Sequence, residues 1–368
     1  MTCHRLFRAL WISLTICFAA TASHATEPDG GPQGSFSLGL ARSNLHGTIG
    51  FAQVSHGNLL GRGISASLTA ELRETGHALS LSAGQGAGAA VSLGPVTGTL
   101  SAGMHYTVSN WDDDSYSIED FAVYPTLSVP FGAATARFGL KGQHTTLDAV
   151  KADVSPLVAL DAGDASTLSA IFGLGTDMVR GPARVSGDLE YVIAGLGGDR
   201  EWSRISGSVA AEVQTGKARL GFTAIAGALE SRNDGGSAIY ERALLSGDVL
   251  YGFAPDGIGP RDFGSKEETA LRGNRYAALR IDARYPILTR DRYDLELGAF
   301  WSAGSVWQLD RKDGAATVDD AQYLRASRGL TLSLGSSFGQ ATLILSDPYR
   351  RQSGDRVREI ALTLNHRF

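Results

Sequence analysis

The chain has 368 residues, 33 basic against 38 acidic side chains, a formal charge of −5, 43% hydrophobic residues, 46 glycines and two cysteines. A mildly acidic balance carries no electrostatic footprint for nucleic acid. Both cysteines, Cys3 and Cys17, fall in one N-terminal apolar stretch, so the remainder has no disulfide, no thiolate nucleophile and no cysteine-based zinc site.

That stretch is built as an export signal, assigned to residues 1–25. Arg5 and Arg8 precede an apolar core, Ala9 to Ala20, and Ser23-His24-Ala25 supplies the small residues of an A-x-A-like cleavage site. The core is too short to span a bilayer as a helix. Leu14-Thr15-Ile16 before Cys17 is a poor lipoprotein context. Taking 25 residues from 368 leaves 343, and losing two arginines moves the formal charge from −5 to −7. No later run of about 18 apolar residues exists, which excludes a spanning helix. An exported chain rich in glycine, with mean hydropathy near zero, fits a β-barrel whose apolar face points outward.

After a short polar leader, residues 26–34, period-2 alternation predicts strands of about ten residues separated by turn residues. In chain order they are Ser35–Ser43, Gly47–Ser55, Gly63–Leu72, a glycine-rich fourth strand over His77–Leu93, Val96–Val108, Ile118–Val129, Ala134–Leu147 and Thr167–Val179. Ala183–Ala194, Ser203–Gln214, Lys217–Leu229, Arg275–Ile287, Tyr293–Trp307, Leu324–Leu334, Gln340–Leu345 and Arg356–Phe368 follow, making sixteen, the even number a closed bacterial barrel needs. From mid-chain, short connections (PFGA, RGP, TG, LTRD, SSFG) alternate with long ones near Ser109–Ser117, Asp148–Ser166, Gly195–Trp202, Ser231–Asn274, Gln308–Tyr323 and Ser346–Asp355. Barrels with short periplasmic turns and long outer loops show this alternation. The last strand places Ile360, Leu362, Leu364 and Phe368 on one face, a C-terminal pattern with its closing aromatic at the membrane interface.

The stretch 231–274 is too long for an ordinary connection. It also holds an apolar knot, Leu250-Tyr251-Gly252-Phe253, with Ile258, Gly259 and Pro260 close behind. A loop facing only water has little use for such a knot, so this outer loop is expected to fold back into the lumen. Residues 35–368 then form one transmembrane antiparallel β-barrel, all-β.

Several of these segments together resemble the BamA/TamA-type outer-membrane assembly-factor superfamily, the bacterial surface antigen barrel. The opening GSFSLGL…GTIGFAQVSHGNLLGRGISASL looks like that family's first three strands, and Leu250-Tyr251-Gly252-Phe253 stands where the family usually has V-R-G-F in its sixth outer loop. Arg272-Gly273-Asn274 opens the next strand much as in the family, and FWSAGSVW resembles its F-W-D-A-G-x-V-W strand. Two departures form a pair. The family's loop arginine is Tyr251 here, and its aspartate partner on the lumen wall is Ser302, with Gly304 nearby. A buried arginine without its carboxylate would be costly, so losing both together is coherent. The expectation is a loop docked through a Tyr251–Ser302 hydrogen bond or by packing; the alternative is a displaced loop that packs elsewhere. A third departure is that the short leader leaves no room for the POTRA domains the family usually carries.

Other motifs carry less. Gly335-Ser336-Ser337-Phe338-Gly339 matches a nucleophile elbow but falls between strands, where a tight turn explains it. Gly84-Gln85-Gly86 with Ala89 is followed by no helix, as a dinucleotide loop requires. Asp112, Asp113 and Asp114 with Glu119 and Asp120 could hold a divalent cation, but a solvated loop is the favoured reading. The histidines have no ligand spacing. No enzyme, metal or cofactor is expected.

The resemblance implies an outer-membrane protein of a Gram-negative bacterium that inserts or moves polypeptides, or lipid, through a seam between the first and last strands. A passive pore or structural barrel that has lost this role is the alternative. The expected partners are outer-membrane lipid, lipopolysaccharide and unfolded outer-membrane protein clients around a monomeric barrel, with no nucleic acid.

Overall fold

The computed structural model describes residues 34–43, 47–59, 63–85, 91–93, 96–111, 115–148, 151, 154–245, 249–254, 256–265, 269–290, 293–312, 314–315, 317–336 and 339–366. The signal segment, most of the leader, Asp112 to Asp114, Gly86, Ala89, Ser337, Phe338 and Phe368 lie outside them.

One antiparallel sheet dominates. Its long strands are β1 (Gly34–Ser43), β2 (Gly47–Leu59), β3 (Ile64–Arg73), β4 (Gly76–Gln85), β6 (Val96–Trp111), β7 (Tyr116–Phe131), β8 (Ala134–Asp148) and β9 (Gly163–Arg180). The second half adds β10 (Ala183–Gly198), β11 (Trp202–Thr215), β12 (Ala218–Ser231), β15 (Arg275–Arg290), β16 (Tyr293–Trp307), β18 (Arg325–Ser336), β19 (Gly339–Arg350) and β20 (Ile360–His366). Consecutive long strands pair in chain order. These are the sixteen strands that alternation predicted, joined by one three-residue piece, β5 (Val91–Leu93).

The alternation sorts side chains onto two chemically distinct faces. Along β16, Leu295, Leu297 and Trp301 point to one face while Glu296, Phe300 and Ser302 are buried on the other. The first face continues across the sheet with Leu189, Ile205, Val209, Leu220, Ile281, Leu330, Leu332 and Leu345, all exposed. The second face carries ion pairs such as Arg284 with Glu212 and Asp282, and Arg219 with Glu296. Among the described residues no helix is long and apolar enough to cross a membrane, which says nothing of strands.

Of the boundaries that differ from expectation, four are informative. The connection expected at Gly195–Trp202 shrinks to residues 199–201, because a bulge after Ala194, with Gly195 at φ +104°, lets the β9–β10 ladder continue to Gly198. The expected fourth strand is described in two parts, β4 to Gln85 and β5 from Val91, both paired with β6, and residues 86–90 lie outside the described residues. The expected Gln340–Leu345 strand is the longer β19. The last strand begins at Ile360, not Arg356. Its register with β19 runs from Gly339↔His366 to Leu345↔Ile360, and the Ser346 amide still donates to the Glu359 carbonyl at 2.7 Å. The next hydrogen-bonded pair would set Val357 against Pro348, which has no N–H to give. The ladder stops there, and the chain bends at Glu359.

The two terminal strands meet. β1 pairs with β2 along its whole length, from Gly34↔His56 to Ser43↔Gly47, but with β20 it shares, among the described residues, a single registered pair, Arg42↔Leu364.

Long connections gather at one end of the sheet. The segment between β8 and β9 contains a short helix, α1 (Pro156–Ala159), capped by Ser155. The segments after β12 and β16 contribute β13 (Arg261–Asp262), β14 (Thr269–Ala270) and β17 (Val318–Asp319), which form a separate three-stranded sheet. Tyr116, Leu147, Leu157, Val158, Ile239, Leu271 and Leu309 pack together beneath it. Three loops are thus fused into one cap.

Candidate functional site

The connection between β12 and β15 is held at its neck by Asn274. Its main chain accepts from the Leu229 amide at 2.7 Å and donates to the Gln308 carbonyl at 2.8 Å, while its side-chain amide donates to Asp310 at 2.9 Å. Glu241 receives two hydrogen bonds from Arg200, at 2.9 and 3.0 Å, which tie the loop to the β10–β11 turn. Further along, Asp262 accepts from Ser155 at 2.6 Å, Thr317 at 2.6 Å and the Gly264 amide at 3.0 Å. Burial opposes ionisation of Asp262, but these donors outweigh it and hold its carboxyl below the usual range. Arg272, in the left-handed region at φ +56°, lays its guanidinium over Trp111 at 4.4 Å.

Between neck and cap, the apolar knot turns back onto the polar face of the sheet. Leu250, Phe253 and Ile258 are buried against Ala278 of β15 and Val306 of β16. Gly259, at φ +117°, lies so close that an added Cβ would stand 3.2 Å from Val306, and Pro260 is fully buried. Gly304 belongs to the wall beneath: an added Cβ there would meet Ala278 Cβ at 2.9 Å. Ile360 and Leu362 sit on the exposed apolar face, and Leu364 is in register with Ala341 and Arg42.

Tyr251 and Ser302 are brought together, but through intermediaries. The Tyr251 hydroxyl accepts from Arg280 Nη1 at 2.9 Å, and the Arg280 guanidinium lies 4.8 Å from the centre of the Tyr251 ring. That ring meets Phe300 edge-on at 4.8 Å. The Tyr251 carbonyl accepts from the Ser327 hydroxyl, which is 3.1 Å from the hydroxyl of the fully buried Ser302. Of the two expected ways of docking, a direct bond to Ser302 or packing, the direct bond is replaced by a relay, with Arg280 as the hydroxyl's donor. Arg280 is also the residue directly opposite Ser302 in the β15–β16 register, and its Nε lies 3.3 Å from Asp282 Oδ1. The cation of this latch thus stands on the wall, beside the serine, and the aromatic stands on the loop.

Gly252 lets the latch close. It adopts φ +90°, and an added Cβ would lie 3.1 Å from Ser346 Cβ and 3.2 Å from Ser327 Cβ. Beyond it the loop backbone pairs with the segment before β20. Arg358 N donates to Gly252 O, Ala254 N to Arg356 O and Arg356 N to Gly257 O, each at 2.9 Å, around a Phe253↔Val357 bridge.

Sequence reasoning named the loop residues but gave no part in holding the loop to Arg280, Phe300, Ser327, Asn274 or the 356–358 segment. The parity of Arg280, Asp282 and Arg284 marks them as one face of β15, but only the register shows which of them meets Ser302. Among the described residues no group of histidine, cysteine or carboxylate side chains could hold a metal ion.

Comparison with known proteins gives a family. The model of the Omp85 superfamily domain matches residues 58–368. Of solved structures, BamA from Haemophilus ducreyi lacking POTRA domains 1–3 superposes with a TM-score of 0.76 at 17% identity, over 90% of this chain and 70% of that one. CdiB from Escherichia coli gives 0.57 at 13% identity, over 92% of this chain and 63% of that one. CdiB from Acinetobacter baumannii gives 0.55 at 11%, over 90% and 60%. These likenesses establish the fold. No curated protein matches the sequence.

Proposed function

The chain belongs to the Omp85 superfamily, and from that membership we propose that it is an outer-membrane β-barrel that inserts or moves polypeptides through a seam between β1 and β20. In this reading the sheet closes where Arg42 meets Leu364. The apolar face then lies against hydrocarbon, and the polar face becomes the lumen into which the long loop folds. The exposed leucines and isoleucines support that orientation, since an aqueous protein rarely leaves so large an apolar surface uncovered. On the same face Trp301 donates to Tyr349 at 2.9 Å beneath Arg328, a cluster suited to the lipid and lipopolysaccharide headgroup level.

The observation that carries the proposal is the asymmetry of β1. Among the described residues it is zipped to β2 throughout and tied to β20 by one registered pair. An underpaired edge offers main-chain donors and acceptors to an extended client strand.

The test places the mature barrel in phosphatidylcholine vesicles and times the folding of an unfolded eight-stranded outer-membrane protein against empty vesicles. Acceleration that disappears when a disulfide locks β1 to β20, and returns on reduction, is the expected result. No acceleration, together with steady ion conductance, would make the protein a passive pore.

A further inference from the structure

The backbone pairing of the loop with residues 356–358 falls on one particular side of the C-terminal strand. Within β20, the bond between Ser346 and Glu359 sets the parity: Glu359, Ala361 and Thr363 turn their main-chain groups toward β19. Ile360, Leu362 and Leu364 turn theirs the other way, toward β1, where Arg42↔Leu364 is the registered pair. Arg356 and Arg358 share that second parity. Their amides and the Arg356 carbonyl are the groups bonded by Gly252, Ala254 and Gly257. The loop therefore extends the β1-facing edge of the last strand, and the position a neighbouring strand would take at the upper end of the seam is filled from within the chain.

The surroundings fit an exchangeable occupant. Pro348 denies the 356–358 segment its ladder with β19, and the loop supplies main-chain bonds on its other side. Over Gly252 to Ala254 the loop approaches as antiparallel main chain, so these bonds are ones any extended polypeptide can make; past them the Gly257 amide turns back onto the Ala254 carbonyl at 2.9 Å.

We propose that the Gly252–Ala254 stretch is a built-in surrogate strand that occupies the upper edge of the C-terminal strand and is exchanged for an incoming extended polypeptide. The inference rests on the seam reading above and adds to it: the edge open to a client is lengthened from the β20 segment alone to one reaching Arg356 when the loop lets go.

The experiment uses the full mature chain folded in phosphatidylcholine nanodiscs. Phe253→Cys with Val357→Cys closes a disulfide across the non-hydrogen-bonded bridge and fixes the loop, and reduction frees it. Ala254→Pro removes the donor to Arg356 by a second route. The probe is a synthetic peptide, GSFSLGLARS, the sequence of β1 itself, and the reporter is a photo-crosslinking phenylalanine analogue at Ile360. Crosslinking to the peptide should rise roughly tenfold, about what loss of one net main-chain hydrogen bond allows, in the reduced and Ala254→Pro forms relative to the oxidised form. In parallel, hydrogen exchange at the Arg356 and Arg358 amides should accelerate in Ala254→Pro. Equal crosslinking in oxidised and reduced forms overturns the surrogate-strand role while leaving the seam intact. Absence of crosslinking in every form, with a β1–β20 disulfide also failing to change client folding, overturns both. Arg356 and Arg358 amides that exchange freely in the unmodified protein would refute the pairing itself.

Discussion

Replacing Tyr251 by arginine gives the loop the V-R-G-F pattern it resembles, yet here it should break the latch. The Arg280 guanidinium already sits 4.8 Å from the centre of the Tyr251 ring, so Tyr251→Arg puts two cations about 5 Å apart. At an effective dielectric of about 20 that is roughly 3 kcal/mol of repulsion. The edge-on contact with Phe300 also goes, at about 1 kcal/mol, as does the hydrogen bond from Arg280 to the tyrosine hydroxyl, at about 1.5 kcal/mol for a charged donor. Asp282 near Arg280 offsets part of the repulsion, leaving a net loss of about 4 kcal/mol in loop docking. Adding Ser302→Asp places a carboxylate directly opposite Arg280 in the register and within reach of the new arginine, which should recover about half of that loss. The assay is the temperature at which the folded barrel loses its fast mobility in detergent gels, read alongside hydrogen exchange at Arg358. Tyr251→Arg should melt well below the parent and the double variant should lie between them. Identical melting of the single and double variants would show that charge at Arg280 does not hold the loop.

Three further outcomes are expected. Gly252→Ala should loosen the loop by about 1–3 kcal/mol, since φ +90° and contacts of 3.1–3.2 Å both oppose a side chain; Gly132→Ala, which meets nothing within 4 Å, should cost less, and exchange over residues 250–258 distinguishes them. Acid should open the cap: the carboxyl of Asp262 is held below its ordinary value, so its stabilisation is complete above about pH 4 and fades as pH falls through the depressed value. Limited proteolysis of the cap should follow that fade, and Asp262→Asn should remove that part of the pH dependence. Arg325→Ala should cost about 3 kcal/mol because Asp355, its fully buried partner at 2.9 Å, would be left charged without its cation, keeping the Gln352 amide at 2.7 Å as a donor, and a gel melting temperature unchanged from the parent would contradict this.

Strand count and facing were legible because the period-2 pattern is local: Leu295, Glu296, Leu297 and Gly298 declare their faces without reference to any other strand. The knot at Leu250 to Phe253 was legible as something that must be covered. What covers it was not. The partners of Tyr251 lie on β15, β16 and β18, and choosing Arg280 over Ser302 depends on registers that no single segment encodes. The segment Arg356–Arg358 misled for a related reason. It alternates as a strand should, and it is extended, but Pro348 across from Val357 hands its pairing to the loop. The short helix α1 was hidden because four residues give no measurable periodicity, and the bond from its capping Ser155 to Asp262 depends on loops far apart in sequence.

The cap also bears on the order in which this chain can acquire its structure. Ser155 bonds Asp262 across 107 residues and Arg311 bonds Asp161 across 150, while Asp262 pairs with Val318 across the small sheet. None of these unions can form while the strands between them are unassembled, because loop-closure entropy is only repaid once β9 to β16 stand side by side. The cap is accordingly a late event of biogenesis. A nascent barrel would pass through a stage in which its sheet is continuous, its end is open, and the long loop is still free on the side where the cap will later close.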